Sequence, residues 1–375
     1  MLYLDNAATT LKKPYCVYCS MIYNTIMNSV NAGHGGHYYS IKGAKGVYNT
    51  AEKLAQMLKI TNPERIAFSQ NATYAINLGI RGMIGEGEHV VTTCMEHNSV
   101  LRTLNGLCDY TMVDADGEGM VNPSDLEKAI RPDTKLIVVN HISNVCGTVQ
   151  NIKEMSKIAK KNNIPLMVDA SQSIGVVDFD VDGIDMLVFS GHKGLMAPMG
   201  VGVLYVSDGI KLKPVITGGT GSESKNLNQP DVMPDMLQSG TLNTPAIMAC
   251  GSAVDYIMSK GIKEIGEWEV YLALRFIEKI REIKNVKIYG KIEKGERNST
   301  VAFNIGKMDS TETAAILNDE FGIAVRGGWH CAYPAHCAIG SEKNGAVRAS
   351  FGFFNTIYDA DKLADSVYKI SKKCE

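Results

Sequence analysis

The chain has 375 residues, 45% of them apolar, and a formal net charge of −2 at pH 7. That length suits two domains, or one large domain with a smaller companion. The balanced charge and the lack of a basic tract argue against a nucleic-acid partner, and no charge-free apolar run of about 18 residues announces a membrane-spanning helix.

Residues 2–4 form a short extended segment that runs into Asp5, Asn6 and small residues able to pair at a sheet edge or approach a ligand. The opening MLYLDNAATTLKKP lacks the basic-then-apolar order of a secretory leader. Nine scattered cysteines do not make a disulfide framework, so a reducing cytoplasm is expected. Residues 15–28 are mildly helical in period. Cys16 and Cys19 form a CxxC pair there, but a tetrahedral zinc site needs four ligands and no second pair follows; incidental cysteines are the plainer reading. Gly33-His34-Gly35-Gly36-His37 is a loop, either the border of a site or ordinary surface. A helix is expected over 43–58, with Val47, Leu54 and Leu58 inward. A strand at 66–68 leads through Ser69-Gln70-Asn71-Ala72-Thr73 into a helix at 74–84. Strand, small-residue turn and helix start make an anion site, although ordinary helix caps look the same.

A strand at 89–94 ends in Met95-Glu96-His97-Asn98. His97 there can stack on a planar cofactor or move protons, or be an ordinary surface histidine. A helix from 100 to 107, a strand at 108–113, a turn without EF-hand ligands, a helix at 123–130, a strand at 135–140 and a helix at 153–163 continue the alternation. His141, Ser143 and Asn144 lie just past the fifth of these elements. Two strands follow, at 166–168 and 186–189. One ends in Asp169, with Gln172 beyond; the other ends in Ser190, Gly191, His192 and Lys193. Ligands of open α/β sheets bind outside the carboxyl ends of strands, so a carboxylate and an amine emerge at one edge. An amine forms a Schiff base with an aldehyde cofactor, and a buried carboxylate keeps a pyridine nitrogen protonated. Together they point to pyridoxal phosphate. The plain alternative is a helix-capping Asp169 and a solvated Lys193.

The alternation predicts an α/β fold with a mainly parallel sheet covered on both faces. A strand at 200–205 is a candidate antiparallel return. After Lys211 the composition changes: a glycine-rich loop at 218–222, a polar, proline-bearing stretch at 229–238, helices at 246–259 and 262–284, strands at 286–289 and 299–304, a helix at 311–321, strands at 323–325 and 346–350, and a closing helix at 359–372. The expected division is a large domain over 15–245 and a small one made of 1–14 and 246–375. Between the last two strands, Arg326-Gly327-Gly328-Trp329-His330-Cys331-Ala332-Tyr333-Pro334 reads as a loop exposing Cys331, with Arg326 and His330 near enough to favour a thiolate. Cys337, beside His336, has no evident role. Arg348 in an apolar segment is either a structural ion-pair partner or a bidentate holder of a carboxylate.

Taken together, LDNAATT (4–10), SQNATYAINL (69–78), MEHNS (95–99), SNVCGT (143–148), VDASQ (168–172), FSGHK (189–193), GT (240–241), VRGGWHCAYPAH (325–336) and VRASFGFFNT (347–356) resemble the class V, fold-type I pyridoxal phosphate enzymes, and within them the cysteine desulfurase and selenocysteine lyase family. The resemblance implies a large domain with a mainly parallel seven-stranded sheet and a smaller C-terminal α/β domain. It implies bound pyridoxal 5′-phosphate, with Lys193 as the Schiff-base lysine, Asp169 on the pyridine nitrogen, His97 stacked on the ring and serving in proton transfer, and Gln172 on the phenolic oxygen. Ala72, Thr73, Ser190 and His192 would cup the phosphate. Thr241 would reach the phosphate of a neighbouring subunit, making a homodimer obligatory. Asn144, Arg348 and Arg326 would serve the substrate, and Cys331 would accept sulfur. The implied reaction converts L-cysteine to L-alanine, leaving a persulfide on Cys331 for a thiol or an acceptor protein. Alternatives are a β-eliminating lyase acting on selenocysteine, cystine or another S-substituted cysteine, and a protein of the same fold serving mainly as a binding or sulfur-carrier partner. The chain departs from the family at Ala72, which replaces a hydroxyl residue, at Tyr74, where glutamate is common, and in the longer segment between Cys331 and Arg348.

Overall fold

Strands rich in valine, leucine and isoleucine with no polar alternation belong in a sheet buried on both faces. Such strands form the centre of a seven-stranded sheet in the order Ile66–Ser69, Gly202–Val206, Met186–Ser190, Leu166–Asp169, Thr134–Asn140, His89–Thr93, Asp109–Val113, the last a largely exposed edge strand. Gly202–Val206 runs antiparallel to both neighbours, and the remaining pairs are parallel. The computed structural model describes residues 1–33, 35–178 and 180–373; His34 of the glycine-histidine loop lies outside them.

The two-residue period of a strand splits the core in two. Val91, Ile137, Val139, Val168 and Phe189 face one cluster, which takes in Leu54 and Leu58 of helix Tyr38–Leu58 and Ile152 and Met155 of helix Ile152–Lys161. Val90, Leu136, Val138, Met167 and Val188 face the other, with Ile76 and Ile80 of helix Ala72–Met83 and Val100 of helix Asn98–Leu104. Each fully buried aliphatic side chain of this kind contributes about 1.5–3 kcal/mol. Helix Thr244–Lys260, placed with the second domain by the sequence division at 245, sends Ala249, Cys250, Ala253 and Ile257 into the first of these clusters.

A second core lies between a three-stranded antiparallel sheet, ordered Val347–Ser350, Thr300–Ile305, Val286–Tyr289, and the helices Ile262–Ile280 and Ile357–Lys373. Phe276 meets Phe303 edge-on at 5.5 Å between ring centres. The first strand, Leu2–Tyr3, pairs in parallel with Ile323–Ala324, and Leu4 packs into this core.

Two local differences from the sequence expectation have clear causes. Helix Tyr38–Leu58 starts five residues before 43, because His37 Nδ1 accepts from Ser40 N–H at 3.3 Å and caps it. A side chain at interior Gly43 would strike Val30. The glycine- and proline-bearing stretch after Cys331 contains a short helix, Tyr333–Ala338, with Pro334 in its first turn, where a missing N–H costs nothing.

The register brings Ser69, Gly202 and Ser190 side by side at the sheet's end. A Cβ on Gly202 would run into the Asn71 carbonyl, so this glycine lets the turn before helix Ala72–Met83 sit directly on the sheet. Gly202→Ala should lower stability by about 1–3 kcal/mol in thermal or denaturant unfolding, and anion binding at this turn should weaken with it.

Candidate active site

Three strands end at one place. Asn140 pairs with Asp169, and Asp169 with Val188, two residues before Ser190. Beyond them opens a cavity of about 330 Å³. Lys193 lies in its lining, half-buried, and desolvation pulls its amine down to about 8. The Asp169 carboxylate opposes that shift, while Arg348 and Arg326 add to it. Asp169 is held at its strand end by Ser171 N–H, which donates to Oδ1 at 2.9 Å.

His97 caps helix Asn98–Leu104. Ser99 N–H donates to its Nδ1 at 3.0 Å, so the neutral ring carries its proton on Nε2. Burial, then the neighbouring Lys193 charge, brings His97 down to about 4. Beneath it Glu96 is wholly buried, and its Oε1 accepts from Thr93 Oγ1 at 2.7 Å and from Asn140 N–H at 2.8 Å. Burial raises this carboxyl to about 8, so it is mostly protonated at neutral pH.

One end of the cavity is built for an anion. Asn71 caps helix Ala72–Met83 through Tyr74 N–H at 3.2 Å, leaving the first turn of the helix over the cavity. Ala72 N–H donates to Ser190 Oγ at 3.0 Å, so the Ser190 hydroxyl proton points to another acceptor. Thr73 Oγ1 and Ser99 Oγ lie 2.7 Å apart in the same wall. His192 Nδ1 is buried with no hydrogen-bond partner among the described residues, and burial holds the ring neutral, near 4. A phosphate would satisfy these donors.

Another part of the lining is cationic. Arg348 is entirely buried; Nη1 donates to the Asn144 carbonyl at 2.9 Å and Nη2 pairs with Asp5 Oδ1 at 2.6 Å. Arg326 lines the cavity too and reaches out to Cys331, with Nη2 3.8 Å from Sγ. His330 and Cys331 both have left-handed backbones, with φ of 50° and 58°, an uncommon state for side-chain-bearing residues and one concentrated at functional sites. Asn144 Nδ2 donates to His330 O at 2.7 Å, and Asn98 N–H to Cys331 O at 2.7 Å, which holds the loop in this shape. The N-terminal segment closes one side: Ala7 and Ala8 are in the lining, and Gln172 Nε2 donates to Ala7 O at 3.0 Å.

Of the residues singled out in the sequence, Ala72, Thr73, His97, Asn144, Asp169 and Gln172 line this one cavity, as do Ser190, His192, Lys193, Arg326 and Arg348. Cys331 does not; it is exposed at the rim beside Arg326. Thr241 is exposed in the loop before helix Thr244–Lys260, away from the lining. Sequence reasoning passed over Asn71, Ser99, Asn140 and Ser171 as lining residues, and His330 as anything more than a neighbour of Cys331. For Asn71 and Ser99 the available signal was their place at the first turn of a helix after a strand. Among the described residues no group of three or more histidine, cysteine or acidic side chains is arranged around a metal ion.

A class-V aminotransferase family model matches residues 2–363. The chain belongs to that family. Within it the chain is cysteine desulfurase-like and has the fold-type I architecture of pyridoxal phosphate enzymes. It is 33% identical to a probable cysteine desulfurase of Methanothermobacter thermautotrophicus over 99% of its own length and 94% of that protein. A probable cysteine desulfurase of Pyrococcus abyssi is 31% identical, with 99% and 94% covered. Among solved structures, the apo cysteine desulfurase of Thermococcus onnurineus superposes with a TM-score of 0.92 at 31% identity, covering 99% of this chain and 95% of that one. The donor set fits the family's cofactor: an anion cup with unpartnered His192 Nδ1, a desolvated amine, and the Asp169 carboxylate in the same lining.

Because Lys193 is brought to about 8 rather than the ordinary 10.5, its reactive neutral form accumulates as pH rises through about 8. Imine formation between cofactor-free protein and added pyridoxal phosphate, followed by absorbance, should therefore accelerate through that range and level off well before 10.5. Lys193→Ala should abolish the signal.

Proposed function

We propose that this protein is a pyridoxal 5′-phosphate-dependent cysteine desulfurase that converts L-cysteine to L-alanine and receives the sulfur on Cys331. The observation that carries this reading is one cavity lined together by Lys193, Asp169, an anion cup and Arg348, with an exposed cysteine beside Arg326. The names of the relatives support the same substrate.

When bound, the cofactor supplies a sink for the electron pair left on the substrate's Cα. The chain's residues do the rest. Ser190, His192 and the helix start at Ala72 and Thr73 would hold its phosphate. Asp169 would keep its ring nitrogen protonated, and His97 and Gln172 would hold the ring in place. Lys193 Nζ, poised near neutral pH, takes the proton from Cα and returns one. Arg348 holds the α-carboxylate. Cys331 Sγ takes the sulfur: an S–S bond forms, the substrate's Cβ–S bond breaks, and Cβ gains a proton. One thiol and L-cysteine thus become one persulfide and L-alanine, with no outside oxidant. Exposure at the rim lets a thiol or an acceptor protein collect the sulfur from Cys331.

The active form is a homodimer. Tyr15, Ile22, Ile26 and Tyr38 are more than half exposed on helices Tyr15–Met27 and Tyr38–Leu58, an apolar surface suited to a second copy, and Thr241 is free to reach that copy's phosphate. The eight described cysteines are free thiols, and no helix among the described residues is long and apolar enough to cross a membrane; both support a cytoplasmic enzyme. A second reading, a β-eliminating lyase acting on selenocysteine, cystine or another S-substituted cysteine, draws support from Cys331 standing outside the cavity lining.

Incubation with L-cysteine should yield L-alanine and a persulfide; pyruvate and ammonia in its place would select the lyase. Cys331→Ala should lose roughly two orders of magnitude or more of desulfuration while keeping the cofactor's absorbance. Light scattering should give twice the chain mass.

A further inference from the structure

The cationic part of the cavity lining holds donors that no protein atom accepts from. Arg348 Nε and both ring nitrogens of His330 are buried and without hydrogen-bond partners among the described residues. The two side chains are tied together through Asn144, whose carbonyl accepts from Arg348 Nη1 at 2.9 Å and whose Nδ2 donates to His330 O at 2.7 Å. Asn144, a carboxylate holder by resemblance, therefore already has one of its donors committed to the loop. Asp5 occupies one donor of Arg348 Nη2 at 2.6 Å. That leaves Arg348 Nε–H and the ring of His330 beside it.

His330 takes the inward position in the loop and Cys331 the outward one: the histidine is 3% exposed and lines the cavity, while the cysteine is exposed. Burial, with Arg348, His336 and Arg326 around it, holds the His330 ring far below the ordinary histidine range. The neutral ring presents one N–H donor. His336 packs edge-on against it at 5.4 Å and is itself anchored to Ser341 Oγ at 2.7 Å. Buried donors without acceptors are rare in native proteins, and a ligand is one explanation for them. An acceptor beside a guanidinium and a neutral N–H is best supplied by an anion.

We propose that His330 is a further substrate-binding residue, donating a ring N–H to the same α-carboxylate that Arg348 holds. This rests on the reading of Arg348 given above. A carboxylate placed there is fixed in orientation by two donors from different elements, the strand Val347–Ser350 and the Cys331 loop. Substrate binding and the placement of Cys331 are then coupled through adjacent residues.

The test is calorimetric titration of the cofactor-loaded enzyme with L-alanine and with L-alaninamide, which lacks the carboxylate. His330→Leu should weaken L-alanine about tenfold and alaninamide less than about twofold. His330→Gln, which restores an N–H, should recover most of the L-alanine affinity. Equal weakening of both ligands, or unchanged L-alanine binding, overturns the proposal, as does a wild type that binds the two ligands equally. A purely structural role would affect both ligands alike and would not be rescued by glutamine. Pyruvate in the product assay would sink the desulfurase reading yet leave this comparison intact, since a lyase must hold the same carboxylate.

Discussion

A lysine removed from water keeps its charge only where a carboxylate stands near enough to replace the lost hydration. Lys193 and Asp169 are in that relation, at the ends of adjacent parallel strands, and much of the site follows from it. Burial lowers the amine to about 8 and Asp169 limits the fall, so Lys193 can act as nucleophile or base near neutral pH. Close like charges then bear on the surrounding imidazoles: His97 and His192 are both brought down to about 4, by burial first and by Lys193 next. The site thus holds neutral imidazoles around one titrating amine.

The N-terminal segment locks this arrangement to the second core. Leu4 is buried with Phe303 and Phe351. Asp5 pairs with Arg348, and Ala7 N–H donates to Ser350 Oγ at 2.8 Å. Thr10 Oγ1 then donates to the carbonyl of Lys193 itself at 2.8 Å. Residues 4–10 therefore run from the small core to the Schiff-base candidate, with hydrogen bonds at both ends. Breaking Asp5 from Arg348 would strand a fully buried guanidinium, the kind of loss that costs about 3–5 kcal/mol, so this short stretch constrains position more than its length suggests.

The Cys331 loop follows a different logic. Two consecutive left-handed, non-glycine residues are unfavourable locally. They persist because Asn98, Asn144 and the Trp329 indole, which donates to Glu342 O at 2.9 Å, hold the loop from three directions. The result turns one side chain in and the next one out, giving a buried imidazole against the cavity and a thiol at the rim.

Much of this was legible in the sequence. The apolar runs within the strands expected at 135–140, 166–168 and 186–189 marked parallel, doubly covered strands, because only such strands need apolar residues on both faces. Strand-end chemistry marked Asp169 and Lys193, and the motifs from residue 4 to 356 marked the family. Tertiary structure alone decided the rest. A loop rich in glycine already suggested an exposed Cys331, but a residue's rank in a loop says nothing of which way it points, so the inward turn of His330 required the fold. Packing kept helix Thr244–Lys260 with the large domain's core, where it lies against helices Tyr15–Met27 and Tyr38–Leu58. Whether Arg348 faced a protein carboxylate or an open cavity depended on a partner 343 positions away, and it proved to do both. Local sequence determines which groups are present and the elements that carry them. Their charge states, partners and orientations come from burial and long-range contact, which exist only once the chain has closed.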